Sequence, residues 1–267
     1  MPDKKRKRNA PRPVHFLLIR RRYVVLFAAA LCCLAVFGAV NAPAVVGASA
    51  AARQLPIYCV ERADQRCSIS FDAAWGADNT QKILDVLDEY GVKCTFFVVG
   101  NWADQYPDTA KAIVAAGHEL ENHSNAHDHF NALSAEAILA DVQACNDKIA
   151  ALTGQTPTLI RCPFGEYDDH VISAIRSMGM EPIQWDVDSL DWKGISAAEI
   201  TKRVTGKVKS GSIVLFHNAG EHTPEALPEI LQYLADEGYE LVPVSELLLP
   251  GAYTLDHTGR QIPKAAS

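Results

Sequence analysis

The stretch Gly117-His118-Glu119-Leu120-Glu121-Asn122-His123-Ser124-Asn125-Ala126-His127 decides how the chain is read. A glycine closes a helical pattern over residues 107–116, a short polar strand over 118–122 follows, and two histidines four residues apart stand just past its end. One helical turn at that spacing sets both imidazoles on one face, within reach of a single ion, and neutral histidine is a common metal ligand. A lone pair of this kind is more often two surface residues, so its company in the fold decides between the readings.

On both sides of this stretch, short apolar runs alternate with amphipathic helices. Strands are expected at 67–71, 95–99, 159–161, 183–186, 212–216 and 240–244, and helices at 80–90, 107–116, 134–153, 168–178, 197–208 and 224–237. Ile83, Val86, Leu87 and Tyr90 mark one helical face, and Ile138, Val142, Cys145, Ile149 and Leu152 another, with Ser134 as its cap and Gly154 just past its end. This alternation signals βα units around a parallel sheet. Asp72, His123, Arg161, Asp188, Asp191 and His217 all fall at or just beyond the C-terminal end of an expected strand, where barrel enzymes carry their catalytic groups. A doubly wound open sheet accounts less well for so many strand ends meeting at one mouth.

Composition narrows the function. The chain has 267 residues, 48% of them hydrophobic, enough to bury the core of one α/β domain of roughly 200 residues. Residues 1–50 hold nine Lys or Arg and one Asp, which leaves 16 basic against 31 acidic residues beyond them. A globular part that acidic has no basic footprint for nucleic acid or strongly anionic polymers. The basic cluster, Lys4 to Arg8 and Arg20-Arg21-Arg22, precedes eighteen uncharged residues from Tyr23 to Val40. That is the pattern of a cytoplasmic flank (1–22) and a membrane segment (23–41), either a retained anchor or a signal peptide cut near Ala50, which places the domain outside the cytoplasmic membrane. Residues 42–66 read as a linker and hairpin, in which Cys59 and Cys67 could form a disulfide, and 249–267 as a loosely ordered tail. With no Cys-x-x-Cys there is no zinc ribbon, and with no Gly-x-Ser-x-Gly there is no serine-hydrolase elbow.

Five motifs then carry a resemblance: Ser70-Phe71-Asp72, His123-Ser124-Asn125-Ala126-His127, Arg161-Cys162-Pro163-Phe164-Gly165, Asp188-Ser189-Leu190-Asp191-Trp192 and Leu215-Phe216-His217. Their order and spacing resemble the polysaccharide deacetylase family, the NodB-homology group or carbohydrate esterase family four, over about residues 67–248. Thr95 to Val98 and Gly100 are similar to the strand that follows the first helix there. The resemblance implies a distorted (β/α)7-type barrel. It also implies hydrolysis of N-acetyl groups on amino sugars of peptidoglycan or a related wall glycan, by a monomer that uses a divalent metal, zinc first and cobalt or another ion otherwise.

The residue chemistry suits that reaction. A divalent ion on His123 and His127 polarises the acetamide carbonyl, Asp72 takes the proton of the attacking water with Arg161 keeping it ionised, and His217 protonates the leaving amine with Asp191 orienting its ring. The resemblance also implies a substrate pocket at Pro163, Phe164 and Gly165, with a backbone N–H near Phe164 as an oxyanion donor, and has Trp192 and Leu215 wall the space for the acetyl methyl, a role their apolar character permits. Cys162 reads as a small neighbour, since no base is assigned to it.

One departure weakens this picture. Family members usually carry a second Asp after the catalytic one as the third metal ligand, and here that position is Ala73. Asp78 is the nearest substitute, as a ligand or as the cap of the following helix; Asn218 likewise stands where an Asp is frequent. The form Phe71-Asp72-Ala73-Ala74-Trp75-Gly76 is similar to the sporulation-associated branch. The alternative function is a weakly active or inactive glycan-binding relative.

Overall fold

Arg66–Ala73 forms β2, buried from Cys67 onward, and its alternation separates two environments. Cys67, Ile69, Phe71 and Ala73 join the apolar cluster shared with the surrounding helices, while Ser68, Ser70 and Asp72 turn into the curl of the sheet. β2 pairs in parallel with β3 (Thr95–Val98) on one side and β8 (Ile213–His217) on the other. Beyond β3 come β4 (Glu119–Asn122), β5 (Leu159–Ile160) and β6 (Glu181–Pro182), and beyond β8 comes β7 (Val187–Asp188). The parallel path therefore runs from β6 to β7 as a curled half-barrel, the seven-stranded type expected from the sequence. This computed structural model describes residues 21–23, 25–32 and 53–264.

The helices coat the outside of the sheet. They are α1 (Thr80–Glu89), α2 (Gly100–Gln105), α3 (Pro107–Ala115), α4 (Ala135–Thr153), α5 (Asp169–Ser177), α6 (Ala197–Thr205) and α7 (Thr223–Asp236). Their ends follow local chemistry: the Ser134 hydroxyl accepts from Ala137 N, Asp168 accepts from His170 N and Val171 N, and Gly154 closes α4 at φ 74°. Inside the curl, Ile57, Val60, Phe97, Leu159, Ile183 and Ile213 make an apolar floor, with Phe97 opposite Asp72 in the register. The polar residues are left above it, at the C-terminal ends.

Several expected boundaries shift. Residues 183–186 are not a strand but lie between β6 and β7. Ile183 bridges Ile57 and Gln184 N donates to Ile57 O, while the Asp186 carboxylate accepts from Ser212 Oγ and Ile213 N. The strand expected at 240–244 is only β9 (Glu240–Leu241), because Val244 starts a short helix, α8 (Val244–Leu247). The expected tail is an ordered hairpin, β10 (Tyr253–Leu255) with β11 (Arg260–Pro263), and β11 also pairs in parallel with β1 (Cys59–Val60). No hairpin joins β1 to β2, so no Cys59–Cys67 disulfide forms: both thiols are buried and free. Their strands belong to different sheets, with Cys59 bridging Ser212 and Cys67 opposite Leu241.

The chain divides into two compact units, Met1–Ala52 and Arg53–Ser267. In the first, residues 21–23 and 25–32 are helical, and among the described residues no helix is long and apolar enough to cross a membrane. Most of the expected 23–41 membrane segment, like the basic run Lys4 to Arg8, lies outside the described residues.

Residues 57–60 reach both β6 and the start of β8, so they span the opening of the half-barrel. Val60 N donates to Gly211 O and Gly211 N to Arg66 O, with Gly211 at φ 80°. A Cβ at Gly211 would lie 1.8 Å from Val60 O. Gly211→Ala is therefore expected to destabilise the domain by about 2 kcal/mol or more in urea unfolding, from left-handed strain and backbone overlap together. An unchanged midpoint would show that residues 57–60 do not brace the opening.

Candidate active site

Register brings the site together. Asp72 on β2 and His217 on β8 are Cα partners, and so are Asn122 on β4 and Ile160 on β5, so the next residues, His123 and Arg161, leave adjacent strands side by side. All four emerge above the apolar floor.

Arg161 is fully buried. Its Nη1 donates to Asp72 Oδ1 at 2.7 Å, and its Nη2 donates to Ser70 Oγ at 2.9 Å and to Gln184 O at 3.2 Å. The guanidinium lies 4.2 Å from the centre of the Phe97 ring. Burial alone would raise the Asp72 pKa, but the charge of Arg161, with His123 and His217 beyond, outweighs it and holds the carboxyl below its usual value. Asp72 is thus an ionised carboxylate with one oxygen committed to Arg161 and the other, Oδ2, 3.6 Å from His123 Nε2.

His123 donates from Nδ1 to the carbonyl of Arg161 at 2.7 Å, and burial lowers its pKa, so the ring is neutral with its lone pair on Nε2, facing the site. His127 is held down to about 4, by burial first and then by His123. The two rings are 5.0 Å apart, but not through a helical turn: residues 123–127 form a loop with Ser124 at φ 70° and His127 at φ 60°. Asn122 Oδ1 accepts from Ser124 N, Ser124 Oγ accepts from His127 N, and the Asp141 carboxylate on α4 accepts from Asn125 N and Ala126 N. Those bonds fix a conformation that sequence spacing alone does not specify.

Asp78 does not complete the set. It is exposed, and among the described residues no three His, Cys, Asp or Glu side chains gather to hold a metal. Nor is it the cap of α1, a place taken by Asn79. Ala73 is buried in the outer apolar cluster. What remains fits a divalent ion with two protein donors: two neutral imidazoles, one oriented by its own hydrogen bond to a carbonyl.

On β8, His217 Nδ1 donates to Asp191 Oδ1 at 2.8 Å, and Asp191 Oδ2 accepts from His217 N at 2.8 Å and from Thr223 Oγ1 at 2.6 Å. Burial lowers the His217 pKa, but the bond to Asp191 and the charges of Asp191, Asp72 and Asp188 prevail and raise it. Asn218 N donates to Asp72 O, and its side chain donates to Gly76 O and Thr80 Oγ1, bracing the loop after β2.

The expected pocket residues divide. Pro163 and Leu215 are buried, and Leu215 is the register partner of Ser70, two residues before Asp72 and His217. Phe164 sits at φ 58° between Pro163 and Gly165 in a 3-10 turn with its ring exposed. Trp192, expected to wall a small pocket, is 59% exposed with Lys193 over its ring. Burial pushes the Cys162 thiol up to about 12, which suits a core neighbour and not a nucleophile. Asp141 and Thr223 have no sequence signal, because no spacing ties Asp141 to residue 125 or Thr223 to Asp191, and the bond of Ser70 to Arg161 is not implied by its place in the motif.

Comparison with known proteins places this geometry. A polysaccharide deacetylase family model matches residues 60–183. Peptidoglycan-N-acetylmuramic acid deacetylase PdaC of Bacillus subtilis is 35% identical over 180 residues, 67% of this chain and 38% of its own. Peptidoglycan-N-acetylglucosamine deacetylase PgdA of Listeria monocytogenes is 32% identical over 186 residues, 70% of this chain and 39% of its own. The chain thus spans well under half the length of these curated relatives. Among solved structures, wild-type BA3943 of Bacillus anthracis, described as a CE4 family pseudoenzyme, is 33% identical over 72% of this chain and 68% of that one, with a TM-score of 0.70. A mutant of BA3943 described as having restored enzymatic activity is 34% identical over 72% and 71%, also with a TM-score of 0.70. Five motifs in order, a curled half-barrel and matches of this extent lead to one conclusion: the chain belongs to the polysaccharide deacetylase family, carbohydrate esterase family 4.

Proposed function

We propose that this domain is a metal-dependent N-deacetylase acting on amino sugars of peptidoglycan or a related wall glycan outside the cytoplasmic membrane. One observation carries the reading: Asp72 and His217 are Cα partners on neighbouring strands, with pKa values pushed in opposite directions by Arg161 and Asp191. Groups separated in this way are suited to be base and acid of one reaction. The location is supported by the basic N-terminus followed by eighteen uncharged residues.

His123 and His127 would hold the divalent ion, zinc or cobalt, which when bound supplies Lewis-acid polarisation of the acetamide carbonyl. Asp72, held ionised by Arg161, accepts the proton of the attacking water through Oδ2. His217 enters the cycle as imidazolium, its Nδ1–H fixed on Asp191, and delivers the Nε2 proton to the departing amine. Arg161 and Asp191 act through these two groups and are positioning residues.

A second reading, a glycan-binding relative with little turnover, is favoured by Ala73 and by the likeness to a protein described as a pseudoenzyme. Acetate release from N-acetylglucosamine oligomers and from peptidoglycan, measured alongside bound zinc or cobalt, separates the two. The deacetylase reading expects acetate from at least one glycan, with Asp72→Asn and His217→Ala each lowering kcat by about a hundredfold or more. Ala73→Asp is expected to tighten metal binding and raise turnover. Metal bound without acetate from any glycan would leave only the binding reading.

The pH profile has a defined sign. His217 must be protonated to act, and Asp191 raises its pKa, so the alkaline limb of kcat/KM should lie above the ordinary imidazole value of 6.5. Asp191→Asn removes the raising charge and should move that limb to lower pH. A limb that stays in place in this variant would take His217 out of the acid role.

A further inference from the structure

The turn that carries Phe164 and Gly165 holds both residues left-handed, at φ 58° and 69°, and such backbone persists only where its surroundings over-determine it. Two bonds within the turn do part of this, Gly165 N to Cys162 O and Glu166 N to Pro163 O. More comes from residues 53–58, which precede the stretch matching the family model and which the acid-base chemistry above does not use. Gln54 N donates to Asp169 Oδ1 at 2.9 Å, at the start of α5. Ile57 O accepts from Gln184 N at 2.7 Å, and Gln184 and Trp185 pack against the turn: a Cβ on Gly165 would come within 2.9 Å of the Trp185 ring and 3.4 Å of Gln184 Oε1. Close by, two residues past Gly165, the Tyr167 hydroxyl meets that of Tyr58 at 2.9 Å.

Tyr58 is itself held from behind. Its N donates to Gly259 O, and Gly259, at φ 77° in the turn between β10 and β11, comes so near that a Cβ there would lie 2.4 Å from the Tyr58 ring. The half-buried ring thus stands between the C-terminal hairpin and the loop after β5. We propose that Tyr58 is a positioning residue for the deacetylase reaction: through Tyr167 it holds the Phe164–Gly165 turn, and with it the backbone N–H expected to meet the developing oxyanion. Its part in turnover rests on the deacetylase reading above; the hold on the turn needs no substrate. A donor aimed at an oxyanion works by being fixed in place before the reaction, and a misplacement of about 1 Å can cost a hundredfold in rate. Neither tyrosine hydroxyl has to touch substrate for this. Tyr58→Phe removes only the hydroxyl and keeps the ring against Gly259, so the variant should fold.

The test compares the full-length chain with Tyr58→Phe, Tyr167→Phe and the double variant. Amide hydrogen exchange followed by NMR reports the turn without substrate: Gly165 and Glu166 should exchange about tenfold faster in Tyr58→Phe, while Asn125, bonded to Asp141 in another loop, should exchange as in the parent. With zinc and the linear pentamer of N-acetylglucosamine, kcat should fall about tenfold and KM should stay within about twofold, because the donor acts only in the transition state. The double variant should be no slower than either single one, since all three lose the same bond. Parental exchange at Gly165 and Glu166 in Tyr58→Phe, or faster exchange there with a parental kcat, would overturn the assignment. The two readings fail separately. Faster exchange in a chain that releases acetate from no glycan leaves Tyr58 holding the turn and removes the deacetylase, and acetate release with a kcat indifferent to Tyr58→Phe does the reverse.

Discussion

A guanidinium with no exposed surface sits at the centre of this fold, and its neighbours are arranged around the cost of keeping it there. Moving a charge of that size out of water costs several kcal/mol even after relaxation, and an isolated buried arginine would not be tolerated. Arg161 is compensated by the Asp72 carboxylate at 2.7 Å, the Ser70 hydroxyl, the Gln184 carbonyl and the face of Phe97. These contacts draw β2, β3 and the segment after β6 onto one side chain. The same residue fixes His123 through its own backbone carbonyl, so the orientation of the metal-side histidine and the ionisation of the carboxylate depend on one position.

Above that pair the chain accepts local strain. The non-glycine residues with positive φ among the described residues are Ser124, His127, Phe164 and Leu190, each in or directly beside a motif loop after β4, β5 or β7. Such conformations persist only where the surroundings over-determine them. Here that is done by Asn122 and Asp141 for the histidine loop and by a 3-10 turn for Phe164. The acid arm is built differently: both Asp191 oxygens are occupied, by His217 Nδ1 and Trp192 N on one and by His217 N and Thr223 Oγ1 on the other, so its carboxylate has little freedom to turn.

What was legible in the sequence follows from these physics. Buried parallel strands and capped helices leave periodic patterns, so the half-barrel and the strand-end positions of Asp72, His123, Arg161 and His217 were readable. The route by which His123 and His127 meet was not, since a positive φ at Ser124 is fixed by Asp141, which lies sixteen residues past Asn125 in the chain. Pairing of β1 with β11 joins the two ends of the domain and has no local signal, which is why the tail looked loose and Cys59 looked available to Cys67. Asp78 is the nearest carboxylate to Ala73 in the following loop, but that loop leaves it exposed. The exposure of Trp75 has no sequence signal, because exposure cannot be read from a single aromatic residue.

The base role of Asp72 depends on whether Arg161 prevails over burial there. Carbon-13 NMR of aspartate carboxyl carbons, with the Asp72 signal identified by its loss in Asp72→Asn, measures this directly. The prediction is a titration midpoint below the ordinary aspartate value of 3.8, leaving the carboxylate ionised throughout the neutral range. A midpoint at or above that value would mean that desolvation outweighs Arg161, and a midpoint above neutral would leave Asp72 protonated and unable to act as the base.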